Sequence, residues 1–316
     1  MRPARGRAPV VVGVHGSGAS GGAVEWASAE AAARGCALSV VYAYHPSLPV
    51  DPYGVAPAVG GVLTARSWAE SMLQDAVARA RSVASDLEVS GWLRPGTPVR
   101  VLLDEADTAS LLVVGDDGRC GLRGRLRRSV AAAVSAHASC PVVVIRPPRA
   151  GEDDRSPPRV VVGVDGSQSC APAVDFAWRA ACQRGVPLVA VHAWTPDLPA
   201  DLEAVCAPAA SAEAVAHRTL DRVLDRLRPE FSTVPVHTAL MRSDPARALV
   251  AQSCGAALLV VGSRGRGPML GTVLGSVSQT VLREGRCPLA VIRNGRTPTA
   301  GSPAEADRDQ SPGDLL

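Results

Sequence analysis

The chain has 316 residues, 47% hydrophobic and 20% charged, with a net charge of +3, so it can bury two full cores. Its arginines alternate with acidic residues and only 3% of residues are aromatic, which argues against a nucleic-acid partner. No apolar run is long enough to span a bilayer, and the eight cysteines form no CxxC pair, so we expect no membrane partner and a reducing, cytoplasmic location.

In chain order, the first predicted strand is the apolar segment VVVGVHGS that begins at residue 10, and it returns as VVVGVDGS at residue 160. Further along, LLVVG at 111–115 returns at 258–262, with a slightly shorter offset. The period is too long for a solenoid and indicates a duplicated domain. We expect one domain at 8–147, a linker at 148–158, a second domain at 159–294 and a disordered tail at 295–316.

Strands and helices are predicted to alternate in each domain, most clearly in the second. Strands are expected at 160–164, 188–193, 234–240, 258–261 and 289–292. Between them, apolar residues at helical spacing predict helices, one beginning near Pro245 and one at Ser276. Continuous apolar strands separated by helices indicate an α/β fold with two tandem doubly wound parallel sheets.

The predicted ligand site lies beyond the carboxyl ends of the strands, where such sheets bind ligands. Asp165, Ala193 and Gly262 lie at or just past three of these ends. The loop after the fourth strand of the second domain lacks Cβ atoms at four positions, Gly262, Gly265, Gly267 and Gly271, so its backbone can approach a ligand closely.

A phosphate cradle is predicted where this loop meets the next helix. Ser276 is expected as the N-cap, the helix N-terminus offers free N–H groups, and Arg264 and Arg266 add positive charge. The chain contains no lysine, since all 33 basic residues are arginine. Walker A nucleotide-binding loops and protein kinases both require a lysine and are therefore excluded.

The spacing Gly-x2-Gly-x9-Gly-Ser, from Gly262 to Ser276, resembles that of nucleotide-binding members of the universal stress protein family. The strand VVVGVDGS resembles the N-terminal motif of that family. The resemblance implies an adenine nucleotide alpha hydrolase-like fold and ATP as the ligand, with Asp165 at the nucleoside end and the Ala193 backbone on the adenine edge. The other cofactor-binding positions that it implies are Gly163, Gly262, Ser263, Arg264, Gly265, Gly275, Ser276, Val277 and Ser278. The sequence indicates no metal ligands and does not show whether Mg²⁺ accompanies ATP.

The first domain departs from this pattern at the same positions. Asp165 is replaced by His15, and Gly275 by Arg128. Asp116 and Asp117 stand where the second domain has Ser263 and Arg264. At 4 Å and a surface-like dielectric, such carboxylates repel a phosphate charge by about 4 kcal/mol before screening. We therefore predict that the first site is impaired and that each chain binds one ATP.

The resemblance implies a nucleotide-dependent stress-response protein with an unknown regulatory protein partner. No catalytic residue is predicted, because no base is visible beside the phosphate loop, so we expect at most slow hydrolysis. Two alternatives stay open: an ATP-using ligase or adenylyl-transferase-like enzyme of the same fold, and an interaction module with a vestigial nucleotide site. The last strand of each domain is an apolar edge candidate. We expect these two strands to pair within the chain, an arrangement compatible with a homodimer of whole chains.

Overall fold

The computed structural model describes residues 7–16, 18–44, 59–116, 129–147, 157–194, 209–226, 233–265 and 274–293. We call 7–147 the first half and 157–293 the second half. The elements of the first half are β1 Val10–Val14, α1 Gly18–Arg34, β2 Leu38–Tyr44, α2 Val59–Val83, β3 Val89–Pro95, α3 Pro98–Ala106, β4 Leu111–Gly115, α4 Val130–His137 and β5 Val142–Ile145. Those of the second half are β6 Val160–Gly163, α5 Ala171–Arg184, β7 Leu188–Trp194, α6 Ala209–Leu224, β8 Val236–Arg242, α7 Pro245–Gln252, β9 Leu258–Gly262, α8 Ser276–Glu284 and β10 Leu289–Ile292.

Both halves contribute to one ten-stranded sheet of order β3-β2-β1-β4-β5-β10-β9-β6-β7-β8. Strands within each half are parallel, and their order reverses between β1 and β4 and between β6 and β9. The predicted α/β fold with parallel, doubly wound sheets is confirmed. The last strands, β5 and β10, pair antiparallel, with Val143 opposite Ala290, as expected from their apolar edges. The third strand of the second half was predicted two residues too early.

Helices cover both faces of the sheet, so the inner strands bury side chains on both sides, whereas the two edge strands, β3 and β8, stay partly exposed. In β1, Val10 and Val12 face one apolar layer, and Val11 faces the other. The first layer includes Trp178 of α5, which is fully buried. The continuous apolar runs of the sequence follow from this arrangement, since a strand covered on both faces has no polar side.

On the face that carries α1 and α5, the halves meet through a buried carboxylate. Glu30, whose side chain is 2% exposed, pairs with Arg34 of its own helix and with Arg184 of the other half, both at 2.6 Å. The two arginines also cross the junction, because Arg34 lies over the Phe176 ring at 5.4 Å and Arg184 over the Trp26 ring at 5.3 Å. The contact is therefore symmetric except for the single shared carboxylate.

On the opposite face, two arginines that directly follow β5 and β10 bind the helix ends of the other half. The Nη1 group of Arg146 donates to the carbonyl of Gly285 at 2.6 Å, just after α8. The Nη1 group of Arg293 donates to Ala136 at 2.8 Å and Ala138 at 3.3 Å, at the end of α4. We call Arg146 and Arg293 the clasp arginines. Cations suit these positions, because the carbonyls at a helix C-terminus carry partial negative charge.

Some predicted features lie outside the described residues. These are the tail at 295–316 and all of the linker except 157–158. Of the helices that the structure describes, none combines the length and the apolar character needed to cross a membrane.

Candidate nucleotide-binding site

A cavity of about 440 Å³ opens at the carboxyl ends of β6, β7 and β9 in the second half. The first turns of α7 and α8 complete its wall. The predicted site residues that line it are Gly163, Asp165, Ala193, Gly262, Arg264, Gly265, Gly275, Ser276, Val277 and Ser278. Ser263 is not part of the lining: it is buried, and its carbonyl accepts the N–H of Gly275 at 2.8 Å. Three distant strand ends therefore converge on one space.

Asp165 lines this space and has one carboxylate oxygen without a hydrogen-bond partner among the described residues. Its Oδ1 atom accepts both the N–H of Ser167 at 2.9 Å and the Ser167 hydroxyl at 2.7 Å. Its Oδ2 atom is buried and has no hydrogen-bond partner among the described residues. A Cβ atom at Gly265 would lie only 3.3 Å from Oδ2. Because a buried acceptor without a partner is costly, this position favours a ligand that donates a hydrogen bond.

The N-terminus of α8 differs from the prediction at one residue. Gly275 is the N-cap instead of Ser276, and no side chain caps the helix. The reason is tertiary: the N–H of Gly275 is held by the Ser263 carbonyl, which fixes Gly275 in an extended conformation with ψ of 156°. Ser276 is thereby moved into the first helical turn.

The first turn of α8 consequently leaves its N–H groups open to the cavity. The N–H groups of Ser276, Val277 and Ser278 have no partner within the helix, and all three residues line the cavity. The Ser278 hydroxyl is directed elsewhere, since it donates to the Gly262 carbonyl at 2.6 Å. Arg264 is exposed at the same end and forms no ion pair with any described residue. Open N–H groups at a helix start beside an arginine are the features that favour binding of an anion.

An apolar wall faces the strand ends, and sequence reasoning missed it. It consists of Val191, Trp194, Pro245, Leu249 and Val261. Trp194 directly follows Ala193, so the expectation that ligands bind at the carboxyl ends of strands could have included it. For Leu249 no such signal exists, because it is one of several apolar residues on an amphipathic helix. An apolar wall opposite a few polar groups suits a planar heterocycle.

Two buried polar residues of the lining make hydrogen bonds to the backbone. The Nδ1 atom of His192 lies 2.6 Å from the Val164 carbonyl, and since a carbonyl only accepts, Nδ1 carries the proton. The Cys170 thiol donates to the Ser167 carbonyl at 3.0 Å, and burial, followed by the charge of Asp165, raises the pKa of the Cys170 thiol. Among the residues that the structure places, no group of three or more His, Cys, Asp or Glu side chains is arranged to hold a metal ion.

At the corresponding end of the first half, the same features are satisfied internally. Ser129, the counterpart of Ser276, is the N-cap of α4, and its hydroxyl accepts the N–H of Ala132 at 3.2 Å. Asp116, the counterpart of Ser263, pairs with the clasp arginine Arg146 at 3.4 Å. The helix start and the loop therefore find hydrogen-bonding and charged partners within the protein.

The other predicted departures of the first half are only partly described. His15 is exposed just past the end of β1, at the position of Asp165. Asp117 and Arg128 lie outside the described residues, and so do Arg266, Gly267 and Gly271 of the second half.

Comparison with known proteins identifies the family. The model of the universal stress protein family matches residues 7–146 and again 158–293. A universal stress protein of Mycobacterium tuberculosis is 36% identical over 294 residues, which cover 90% of this chain and 96% of that protein. The crystal structure of a universal stress protein from Archaeoglobus fulgidus, 19% identical, covers 91% of this chain and 96% of its own, with a TM-score of 0.66. A solved universal stress protein in complex with cAMP covers 45% of this chain and 98% of its own at 30% identity, with a TM-score of 0.35. Because the family model matches both halves and the mycobacterial relative aligns over almost its whole length, this chain belongs to the universal stress protein family.

Proposed function

We propose that this protein binds ATP in the cavity of its second half and acts as a nucleotide-dependent regulator of the stress response. The observation that carries the proposal is the buried, unpartnered Oδ2 atom of Asp165 beside Gly265. An ionised carboxylate only accepts hydrogen bonds, and the ribose hydroxyls and the adenine amino group of ATP donate them. The nucleoside end of ATP would therefore lie against Asp165.

The remaining lining fits the other parts of ATP. The N–H groups of Ser276, Val277 and Ser278, together with Arg264, would hold the phosphates. Glycine at 262 keeps the loop close, because a Cβ atom there would lie 3.2 Å from the Arg264 carbonyl. The apolar wall would cover the adenine ring. The phosphates of bound ATP would bring negative charge to Arg264, which forms no ion pair with any residue that the structure describes.

The proposal assigns different tasks to the two domains. The second domain, 159–294, holds the nucleotide, and the first domain, 8–147, is a degenerate copy of it. The linker at 148–158 joins the two domains, and the tail at 295–316 follows the second. We place the protein in the cytoplasm, where ATP is available, and assign it a regulatory protein partner that responds to the nucleotide state.

Calorimetric titration of the purified chain with ATP tests the proposal. We expect one ATP per chain, and mass spectrometry of small molecules released from the purified protein should detect the same nucleotide. Two tight, equivalent sites would contradict the assignment of a single functional half.

Asp165→Asn is the sharpest variant for this titration. Oδ1 is held by two hydrogen bonds from Ser167, so the asparagine would keep its carbonyl there and turn its NH₂ group toward the cavity. The NH₂ group of the asparagine would then face the hydroxyl or amino group of ATP that donates to Asp165 in the proposed complex. Losing a hydrogen bond to a charged group costs about 1.5–3 kcal/mol, so we expect ATP affinity to fall at least tenfold. His15→Asn, at the matching position of the first half, should leave the affinity unchanged. Parental affinity in Asp165→Asn would refute the site.

A further inference from the structure

The cavity of the second half lies close to both clasp arginines: helix α8 connects it to Arg146, and strand β10 connects it to Arg293. Helix α8 has nine residues and therefore spans about 13 Å; it begins at the cavity and its last turn is bound by Arg146 of the first half. On the neighbouring strand, Arg293 follows Ile292 directly. The Ile292 carbonyl accepts the N–H of Ser263 at 2.7 Å, which places Arg293 beside the glycine loop of the cavity.

The two clasp arginines have equivalent backbone surroundings. In the first half, the N–H of Asp116 donates to the Ile145 carbonyl at 2.8 Å, the same bond that Ser263 makes with Ile292 in the second half. Each clasp arginine follows the residue whose carbonyl accepts this bond. Asp116 and Ser263 are therefore structural counterparts, and comparing them isolates the effect of one side chain.

The charge around the clasp arginines is not equivalent. Arg146 is balanced by the Asp116 carboxylate at 3.4 Å, with side-chain exposures of 10% and 27%. In the second half, Ser263 carries no charge, and the next residue, Arg264, is positive. Arg293 forms no ion pair with any residue that the structure describes. Burial, followed by the nearby charge of Arg264, lowers the pKa of Arg293. Arg264 and Arg293 thus repel each other beside the cavity, and among the residues that the structure describes neither is paired with a carboxylate.

We propose that Arg293 is a positioning residue for the nucleotide, and that a nucleotide phosphate supplies the negative charge that Asp116 supplies in the first half. The inference rests on the proposed function. A phosphate bound at Arg264 would remove the repulsion between Arg264 and Arg293 and strengthen the hold of Arg293 on the carbonyls at the end of α4. By linkage, the contact between Arg293 and α4 then raises nucleotide affinity by the same factor.

Hydrogen exchange measured on the full chain with and without ATP tests this coupling. We expect ATP to slow exchange at the C-terminal turn of α4, for example at the N–H of Ala138, although this turn belongs to the other half and does not line the cavity. In Arg293→Gln, ATP should bind about fivefold to tenfold more weakly, within the usual range of coupling between sites, and should no longer change exchange in α4.

Arg159→Gln is the matched control. Arg159 also donates to a carbonyl just beyond a helix end, that of Cys254 at 2.8 Å. It precedes β6, however, and therefore lies at the amino-terminal ends of the strands, whereas the cavity lies at their carboxyl ends. Its loss should leave both ATP affinity and the response of α4 unchanged. Equal weakening in both variants would mean that Arg293 acts only through general stability, and would overturn the inference.

Ser263→Asp gives a second, independent test by copying Asp116 into the second half. The new carboxylate should protect the end of α4 without nucleotide and weaken ATP binding, because it would occupy the place of the phosphate charge. Failure of the proposed function and failure of the coupling give different results. Absence of ATP binding to the parent chain refutes the proposed function. Parental affinity in Arg293→Gln, together with ATP binding that leaves exchange in α4 unchanged, refutes only the coupling. If Ser263→Asp does not fold, Arg293→Gln and the exchange data decide.

Discussion

Gly265→Ala tests the centre of the site with the smallest possible change. The added methyl group would lie 3.3 Å from the Asp165 Oδ2 atom, in front of the acceptor that the nucleotide is proposed to use. The backbone of Gly265 is not in the left-handed region, so alanine adopts its conformation without strain. The nearest atom is the end of a side chain and needs to move by only a few tenths of an ångström. The fold should therefore persist while the ligand position is blocked.

The size of the effect follows from the contact that is lost. A hydrogen bond to a charged acceptor contributes about 1.5–3 kcal/mol, which corresponds to a rise of about 10- to 150-fold in the Kd for ATP. The methyl group also crowds the buried Oδ2 atom in the free protein, which must give way by a few tenths of an ångström. The thermal midpoint of the nucleotide-free protein should therefore fall slightly and not rise.

Calorimetric titration with ATP, accompanied by thermal unfolding without ligand, measures both quantities. Gly22→Ala in α1 is the control, since its methyl group would meet the Ile145 side chain at an ordinary 3.8 Å, far from the cavity. It should bind ATP like the parent. If Gly265→Ala also binds like the parent and unfolds at the same temperature, Oδ2 is not the acceptor for the nucleotide and the proposed orientation is wrong.

Three further outcomes follow from other parts of the structure. In Gly275→Arg, the Cβ atom has ordinary room at 3.5 Å, so the chain should fold, but the long side chain would cover the N–H groups of α8 and abolish detectable ATP binding in the same titration. Glu30→Ala leaves two partly buried arginines without their shared carboxylate, so it should lower the free energy of unfolding in urea by about 3 kcal/mol. The control, Glu25→Ala, breaks an exposed ion pair and should change the same free energy by less than about 1 kcal/mol. Burial raises the pKa of the Cys287 thiol to about 12, so almost no thiolate exists at neutral pH, and iodoacetamide should modify Cys287 much more slowly than the exposed Cys182. Equal rates for the two cysteines would show that the region around Cys287 opens.

The architecture was predictable because it is encoded in contiguous segments. Runs such as LLVVG at 258–262 have no polar side, as expected for a strand that is covered on both faces. The pairing of β5 with β10 was also accessible, since two apolar edge strands otherwise remain bare. The N-cap of α8 was not. Serine is the preferred residue type, but the hydrogen bond from Gly275 to Ser263 joins residues twelve positions apart in the sequence, and no local pattern reveals it.

The same distinction explains which parts of the site were found. Asp165, Ala193 and Gly262 lie at or just past the carboxyl ends of three strands, and the topology of a parallel sheet brings such positions together. Leu249 is different: a Cβ atom on Gly163 would lie 2.9 Å from it, so its place depends on how closely α7 packs on β6. Helix packing of this kind is set by side chains on both elements. The pattern of either segment alone does not contain it.

The divergence of the two halves has a consequence for stability. The first half satisfies its helix start with the Ser129 cap, which contributes about 1 kcal/mol, and balances Arg146 with Asp116. The second half has no side-chain cap at the start of α8, and among the described residues no carboxylate pairs with Arg264 or Arg293. Under the proposed function, ATP at a hundredfold excess over its Kd stabilises the chain by about 2.7 kcal/mol, all of it through the second half. A chain with two open sites would lack the stabilisation that the Ser129 cap and the Asp116–Arg146 pair supply without nucleotide. A chain with two closed sites would not respond to nucleotide at all. One closed half and one open half, joined through a continuous sheet and two clasp arginines, let the same fold persist without ATP and still change its stability when ATP binds.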